Sequence, residues 1–103
     1  MEENTITLVR EAQALNSKLI SVPRLLILRS LEKLGPDGAA YRELKAGLEM
    51  EDGLLYSNLK ALEEMGYLKE KEIRMGKKEM ASYNITEDGK DALNAERVWL
   101  KKI

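Results

Sequence analysis

The sequence predicts an α+β fold that is mainly α-helical and carries one small β-hairpin. Three features of the 103-residue chain indicate this class. Apolar residues recur at helical spacing along most of the chain. A short amphipathic helix, predicted over residues 52–65, ends at Gly66. Two strand-like runs follow at residues 67–73 and 80–85, and the basic tip Met75-Gly76-Lys77-Lys78 separates them.

The first part of the chain predicts two helices with clear starts. Thr5 or Thr7 can cap a first helix that runs to about Lys18. Ser21 is followed by Pro23, and a proline just after a capping residue is typical of a helix start. We therefore divide the single domain, residues 1–103, into an N-terminal helix, a central core and a C-terminal helix. These segments comprise residues 5–20, 21–85 and 86–103.

The second helix is expected to stop at residues 35–38, Gly-Pro-Asp-Gly, because all four residues favour turns. Residues 39–41 then predict a stub strand. A short third helix follows at 42–46, with Leu44 inward and Gly47 at its end. The residues of the second helix that we expect to face the core are Leu26, Ile27, Leu31 and Leu34.

The fourth helix, residues 52–65, has one apolar stripe. Leu55, Leu59 and Leu62 fall at i, i+4 and i+7, which predicts the buried face. Asn58 lies nearer this side, where a local hydrogen bond is expected. At about 100° per residue, the rest of the helix surface is solvent-facing. The exposed face and its flanks comprise Gly53, Leu54, Tyr56, Ser57, Lys60 and Glu64.

The hairpin and the last helix follow simple patterns. Side chains alternate along the strands, so that Leu68 and Lys69 face opposite ways. Thr86 is the predicted cap of the last helix, and two acidic residues follow it where the helix dipole favours negative charge. The apolar and small residues along this helix are Ala92, Leu93, Ala95, Trp99, Leu100 and Ile103.

The composition argues against several functional classes. The chain contains no cysteine and no histidine, which removes disulfides, zinc sites with those ligands and imidazole acid–base chemistry. We therefore expect no enzymatic activity and no cofactor. No apolar run approaches the roughly 18–20 residues that span a bilayer. The acidic N-terminus is unlike a secretory signal, so a cytoplasmic location without a membrane partner is expected.

The charges are unevenly distributed along the chain. The formal net charge is −1, yet residues 67–79 carry a balance of +2 and residues 51–66 a balance of −3. A DNA-binding protein must place positive charge where phosphates lie. The predicted hairpin satisfies this requirement, and the fourth helix, with Glu51, Asp52, Glu63 and Glu64, opposes it.

A helix followed by a hairpin with a positive tip is the order found in a winged helix-turn-helix, where one element enters a DNA groove and the other meets the backbone. Three segments also resemble the MarR/ArsR/PadR-like regulators. Arg24 to Leu28 is similar to their "R-L-x-I-L" opening. Leu54 to Leu68 is similar to their recognition helix and first wing strand, with the pattern "S-x-L-x-x-L-e-x-x-G-[LY]-[IVL]", and Tyr83 to Gly89 to "Y-x-[IL]-T-[ED]-x-G". The resemblance covers about residues 21–95 and is greatest to small, stand-alone members.

The resemblance implies a sequence-specific transcriptional regulator whose partner is double-stranded DNA. It places a recognition helix, about residues 52–65, in the major groove and a wing, residues 74–79, on the backbone. The chain lacks the cysteine and histidine of metal-sensing members, and Arg42 replaces a common Ser or Thr cap. The residues expected to contact DNA are Gly53, Leu54, Tyr56, Ser57, Lys60, Arg74, Lys77 and Lys78.

The terminal helices predict a homodimer. Their apolar residues exceed what the central core can cover, and exposed apolar patches of that kind are rare in small soluble proteins. The alternative is that both helices fold back on their own domain. The residues expected at the dimer interface are Leu8, Ala12, Leu15, Trp99, Leu100 and Ile103.

Two further hypotheses compete with DNA binding alone. The acidic fourth helix favours a winged-helix module that binds another protein. A pocket between the terminal helices and the wing domain would instead hold a small-molecule effector, although the sequence identifies no such ligand.

Overall fold

The computed structural model describes residues 2–19 and 21–103, so Ile20 of the predicted N-terminal helix lies outside the described residues. Within them the chain forms five α-helices and a small sheet, which confirms the predicted α+β class. Short 3-10 turns occupy Ser17–Leu19 and Gly35–Asp37. In chain order the elements are α1 (Glu3–Gln13), α2 (Val22–Leu34), β1 (Ala39–Ala40), α3 (Tyr41–Leu48), α4 (Asp52–Glu64), β2 (Leu68–Met75), β3 (Lys78–Ile85) and α5 (Glu87–Leu100).

The sheet is antiparallel with strand order β1-β3-β2. The predicted stub strand is present at Ala39–Ala40 and pairs with Tyr83 and Ser82 of β3. In the hairpin, Leu68 pairs with Ile85 at one end and Met75 with Lys78 at the other. Only Gly76 and Lys77 remain between the strands, and Gly76 has φ +66°. Glycine at the first position of a two-residue loop matches the twist of a hairpin.

The core lies between α2, α4 and α5 and the base of the hairpin. The predicted stripe of Leu55, Leu59 and Leu62 is fully buried. Leu44 of α3 and Leu93 of α5 close the core from two sides. The other apolar residues of this core are Leu19, Ile27, Leu28, Leu31, Ala39, Met50, Leu68 and Tyr83.

The predicted caps of α2 and α5 are confirmed. The hydroxyl of Ser21 accepts a hydrogen bond from the Arg24 amide (3.3 Å), and that of Thr86 accepts one from the Gly89 amide (3.0 Å). Helix α4 ends one residue earlier than expected, with Met65 as its cap. Gly66 follows at φ +80°, where a side chain would be strained.

The limits of α1 and α3 differ from the prediction. Helix α1 begins at Glu3 and ends at Gln13. It stops early because the Asn16 side chain accepts a hydrogen bond from the Lys18 amide (3.0 Å), a local turn that competes with a helix. Helix α3 runs past Gly47 to Leu48 and ends where Glu49 adopts a left-handed conformation, φ 53°.

The predicted inward face of α2 is partly wrong. Leu26 is 42% exposed and Leu34 is 51% exposed, whereas Leu28 is buried. The buried stripe is therefore Ile27, Leu28 and Leu31, since α4 and α5 pack on that side. Spacing alone admits either stripe in a helix so rich in leucine.

The terminal parts of the fold extend beyond the core. No residue of α1 is buried, and the principal extents of the molecule are 61 × 25 × 21 Å. Among the residues that the structure describes, no helix is long and apolar enough to cross a membrane.

Candidate nucleic-acid interface

Helices α3 and α4 form a helix-turn-helix that is joined by polar contacts at its turn. Asp52, at the start of α4, accepts hydrogen bonds from the Tyr41 hydroxyl (2.9 Å) and from the Lys45 ammonium group (3.0 Å). These two bonds lower the pKa of the Asp52 carboxyl, and the bond from Lys45 has the larger effect. Asp52 is thus an ionised, paired acid, and the side chains of α3 neutralise it.

The solvent-facing surface of α4 presents small and basic residues. Gly53, Ser57 and Lys60 are exposed. Tyr56 is 57% exposed, and the Lys60 ammonium group lies 5.6 Å from the centre of its ring. The Ser57 hydroxyl donates to the Leu54 carbonyl oxygen within the helix (3.2 Å), so its lone pairs remain available. This face can therefore offer donors and acceptors to base edges.

Asn58 makes the local contacts expected of it. It is 7% exposed, and its amide nitrogen donates to the Leu54 carbonyl oxygen (2.8 Å). Its side-chain oxygen accepts a hydrogen bond from Arg24 Nε of α2 (2.8 Å). Arg24 also donates to the Lys18 carbonyl oxygen. Helix α4 is therefore joined to α2, and through it to the segment after α1.

The acids of α4 are placed unequally. Glu63 is half-buried and lies near Tyr83, whose pKa is raised to about 12 by burial and then by Glu70 and Glu63. Glu63 therefore faces the hairpin. Glu51 and Glu64 remain exposed at the two ends of the helix.

Apart from Arg74, which shares a face with Glu70 and Glu72, the register of the hairpin separates its charges by sign. Cross-strand partners share a face, so Glu70 lies beside Tyr83 and Glu72 beside Ala81, on the side toward α4. Alternation places Lys69 and Lys71 on the opposite side. The excess positive charge of the wing is therefore concentrated away from α4 and at the tip.

The tip holds the three predicted wing residues, all exposed. Lys77 lies in the two-residue turn, and Lys78 pairs in register with Met75. Arg74 lies opposite Glu79, which shares its face and offsets its charge. Within the described part of the chain, Lys77 and Lys78 form no ion pair.

Sequence reasoning missed one cation near this surface. Arg42 is exposed in the first turn of α3, the helix that crosses the DNA backbone in helix-turn-helix proteins. In the sequence, Arg42 stands out only as the residue that replaces a common Ser or Thr cap. The structure places the α3 cap at Ala40, whose amide donates to the Glu43 carboxylate (3.0 Å).

The terminal helices contact each other within one chain. The Trp99 indole N–H donates to the Leu8 carbonyl oxygen (3.0 Å), and Lys102 forms an ion pair with Glu11 (2.9 Å). Leu8, Ala12, Leu15 and Trp99 are half-buried at this contact. The large apolar residues of the two helices that stay exposed are Ile6, Val9, Val98, Leu100 and Ile103.

Comparison with known families identifies this architecture. The profile of the winged helix DNA-binding domain family matches residues 23–103. The chain belongs to this family. The matched region begins at α2 and includes both the helix-turn-helix and the wing, so α1 and the 3-10 turn after it lie outside the match.

Several solved structures are similar to this chain in fold. A PadR-like transcription factor from Bacteroides fragilis has a TM-score of 0.61 at 16% identity, and the alignment covers 97% of this chain and 91% of that one. A PadR family transcriptional regulator from Eggerthella lenta has a TM-score of 0.59 at 22% identity, and the alignment covers 82% of this chain and 80% of that one. A Streptococcus mutans protein has a TM-score of 0.60 at 22% identity, and the alignment covers 81% of this chain and 77% of that one. No curated protein sequence matches the chain.

Proposed function

We propose that this winged-helix protein is a sequence-specific transcriptional regulator that binds double-stranded DNA as a homodimer. Helix α4 enters the major groove and the tip of the wing contacts the phosphate backbone. The resemblance of the fold to regulators of the PadR family supports this assignment.

The observation that carries the proposal is the composition of the exposed face of α4. Gly53, Ser57 and Lys60 occupy the centre of this face, and Tyr56 lies at its edge. Asp52, the first residue of the helix, is already paired with Lys45, and of the acids at this end only the capping residue Glu51 stays exposed without a partner among the described residues. The N-terminal residues of a recognition helix approach the bases. The repulsion between the acids of α4 and DNA phosphates is thus smaller at the N-terminal end of α4, the end that approaches the bases.

The exposed apolar residues of α1 and α5 support a dimer. Leu100 is 44% exposed and Ile103 is 71% exposed, although α1 already packs on α5. A second copy that covers these residues would form an isologous interface. It would also present two recognition helices to half-sites about one DNA turn, roughly 34 Å, apart.

Band-shift titration with sheared genomic DNA at about 50 and 200 mM salt tests the proposal. Binding that weakens steeply with salt supports it, and the absence of binding at the lower salt concentration contradicts it. Sedimentation of the free protein at micromolar concentration tests the dimer separately, since a monomer has a mass of 11.7 kDa.

A protein-interaction module is the second candidate. The observation that favours it is the acidic side of the wing, where Glu70 and Glu72 face toward α4. With Glu64 these residues would form a negative surface for a basic protein partner. Replacing Glu64 and Glu72 by lysine distinguishes the candidates, since the change strengthens DNA binding if α4 approaches phosphates and leaves the protein without DNA affinity if it does not.

A further inference from the structure

Two lysines on the outer face of the wing, the face turned away from α4, are not used by the proposed DNA contacts. Lys69 and Lys71 lie on this face in the half of the hairpin opposite its tip. Both are exposed, and neither forms an ion pair among residues 2–19 and 21–103. The proposed phosphate contacts lie at the tip instead, so this positive charge needs a separate explanation.

Lys69 and Lys71 line a cavity of about 260 Å³. Its other walls come from parts of the chain that are distant in sequence, namely the end of α2 with the turn after it, strand β3 and the start of α5. Lys90 of α5 supplies a third ammonium group. The remaining lining residues are Glu32, Gly35, Pro36, Asn84 and Ile85. Walls on several sides and this volume suit one small molecule.

The lining carries an excess of positive charge. Glu32 is the one acid in the described lining, and it accepts two hydrogen bonds from the Arg97 guanidinium (2.9 and 3.0 Å). These bonds lower the pKa of the Glu32 carboxyl, and Arg97, which lies outside the lining, neutralises its charge. Lys90 pairs with Glu87 (3.2 Å), but the two side chains are 44% and 85% exposed, and such pairs contribute little. A ligand can therefore compete for Lys90.

Asn84 adds a neutral donor at a fixed position. Its side chain is 7% exposed, and its amide nitrogen donates to the Pro36 carbonyl oxygen (2.9 Å). This bond uses one of the two N–H donors of the amide, so the other is available where Asn84 lines the cavity. Asn84 pairs in register with Lys69, so the two side chains share a face of the sheet. The cavity thus combines mobile ammonium groups with a positioned amide.

We propose that this cavity binds a small polyanion, a molecule with at least two negative charges on phosphoryl or carboxyl groups. Ammonium groups form strong charge-assisted hydrogen bonds with the oxygens of both groups. A neutral ligand would leave the three lysines unbalanced, and a single negative charge would balance only one of them. The bound anion connects the wing to the end of α2 and to α5. Binding at this site requires neither DNA nor the dimer.

Pyrophosphate and citrate are suitable probes, because both carry several negative charges at neutral pH, on phosphoryl groups in one and on carboxyl groups in the other. Acetate and sodium chloride at equal ionic strength are the ligand controls. In about 50 mM salt, where screening is moderate, we expect at least one probe to raise the melting temperature by roughly 5–10 °C at about ten times its Kd. A response to only one probe identifies the anionic group that the site prefers.

Nitrogen-15 NMR spectra locate the bound probe on the wild-type protein. The amides of Gly35, Lys69, Asn84 and Lys90 should shift, because these residues line the cavity from its different walls. The amides of the tip, at Gly76 and residues 77–78, should shift less. Shifts centred on the tip would mean that the anion binds where DNA phosphates are proposed to bind, and would overturn the proposal.

Two double variants distinguish the cavity from the rest of the wing. Lys69→Gln with Lys71→Gln removes two ammonium groups from exposed positions, so we expect it to fold and to weaken the probe's Kd at least about tenfold in isothermal titration calorimetry. Lys77→Gln with Lys78→Gln removes the same charge from the tip and should change this Kd by no more than about twofold, since solvent and salt screen distant charges.

Multivalent anions also stabilise folded proteins by exclusion from their surface, and that effect would be equal in the wild type and both variants. An equal Kd in the wild type and the Lys69→Gln Lys71→Gln variant, an equal loss in both variants, or no response of the wild type to either probe would overturn the proposal. If the Lys69→Gln Lys71→Gln variant does not fold, the NMR shifts of the wild type still decide. None of these outcomes depends on whether the protein binds DNA.

Discussion

The wing lysines offer the sharpest test of the proposed interface. Lys77 and Lys78 are exposed at the tip and form no ion pair with any described residue, so no intramolecular partner is lost when they bind phosphate. We expect the double substitution Lys77→Ala with Lys78→Ala to weaken binding to all DNA sequences alike, because phosphate contacts carry no sequence information.

The size of the effect follows from counterion release. Each lost phosphate contact lowers the slope of log affinity against log salt by up to about 0.9. Two contacts give a change of up to about 1.8 for one protomer, and about 3.6 for a homodimer. At about 0.1 M salt, one decade below 1 M, two contacts correspond to a loss of up to roughly 60-fold per protomer. Arg74→Ala should have a smaller effect, since Glu79 lies opposite Arg74 in the register.

Fluorescence anisotropy with a labelled DNA duplex, at four or more salt concentrations, measures both affinity and slope. The matched control is Lys33→Ala with Lys101→Ala, which removes the same charge from exposed positions outside α4 and the wing. Equal slopes for the wild type and the wing variant would refute the phosphate contact and leave the two lysines as solvated residues of the turn.

The remaining predictions concern the recognition helix, the fold, the buried acid and the dimer. Ser57→Ala should change the ratio of specific to non-specific DNA affinity, because a base-edge contact discriminates by about 1–3 kcal/mol. Gly89→Ala should lower the free energy of unfolding in urea by about 1–3 kcal/mol or more, since the new Cβ would meet the Tyr67 carbonyl group. Glu96→Gln should stabilise the protein more at pH 7 than near pH 4. Because Glu96 of α5 is 1% exposed and burial raises the pKa of its carboxyl, the wild-type protein loses stability as the pH rises above the pKa of this group in the unfolded chain. Glutamine does not titrate, so the variant does not lose stability in this way. Leu100→Asp should convert the dimer to a monomer in sedimentation, since it buries a charge in the proposed interface.

Each of these predictions has a matched control or a contrary outcome. Ser17→Ala, at an exposed serine outside α4, should leave the affinity ratio unchanged. Gly47→Ala meets open space within α3 and should stabilise by about 0.5–1 kcal/mol, so a loss comparable to that of Gly89→Ala would contradict the steric explanation. A pH-independent effect of Glu96→Gln would mean that this carboxyl is not desolvated. Ile73→Asp, at an exposed apolar position on the wing, should leave the dimer intact.

Local patterns were sufficient to predict most of the fold. The caps at Ser21 and Thr86 and the stripe from Leu55 to Leu62 depend on neighbours within one or two turns, and all are confirmed. The inward face of α2 depends on which side α4 and α5 approach, and the sequence does not contain that information locally. The exposure of Leu26 and Leu34 is the result.

In the candidate site, too, some features follow from the local sequence and others depend on how the helices pack. Alternation along the wing already separates Lys69 from Glu70, so the segregation of charge could have been inferred from the sequence. The pairing of Asp52 with Lys45 could not, because it depends on how α3 crosses α4. Glu96 was equally hidden, since an acid on an amphipathic helix is usually at the surface and only the packing of α5 shows otherwise.

The side chain of Arg24 connects the segment after α1 to helix α4. One guanidinium donates both to the Lys18 carbonyl oxygen, in the segment after α1, and to Asn58 in α4. A displacement of that segment removes the Lys18 carbonyl oxygen as an acceptor and changes the strength of the hydrogen bond from Arg24 to Asn58. If α4 binds DNA as proposed, linkage requires that the position of this segment change DNA affinity by the same free energy by which DNA changes the preference for that position. The segment after α1 and helix α4 are thereby coupled through the hydrogen bonds of one arginine side chain.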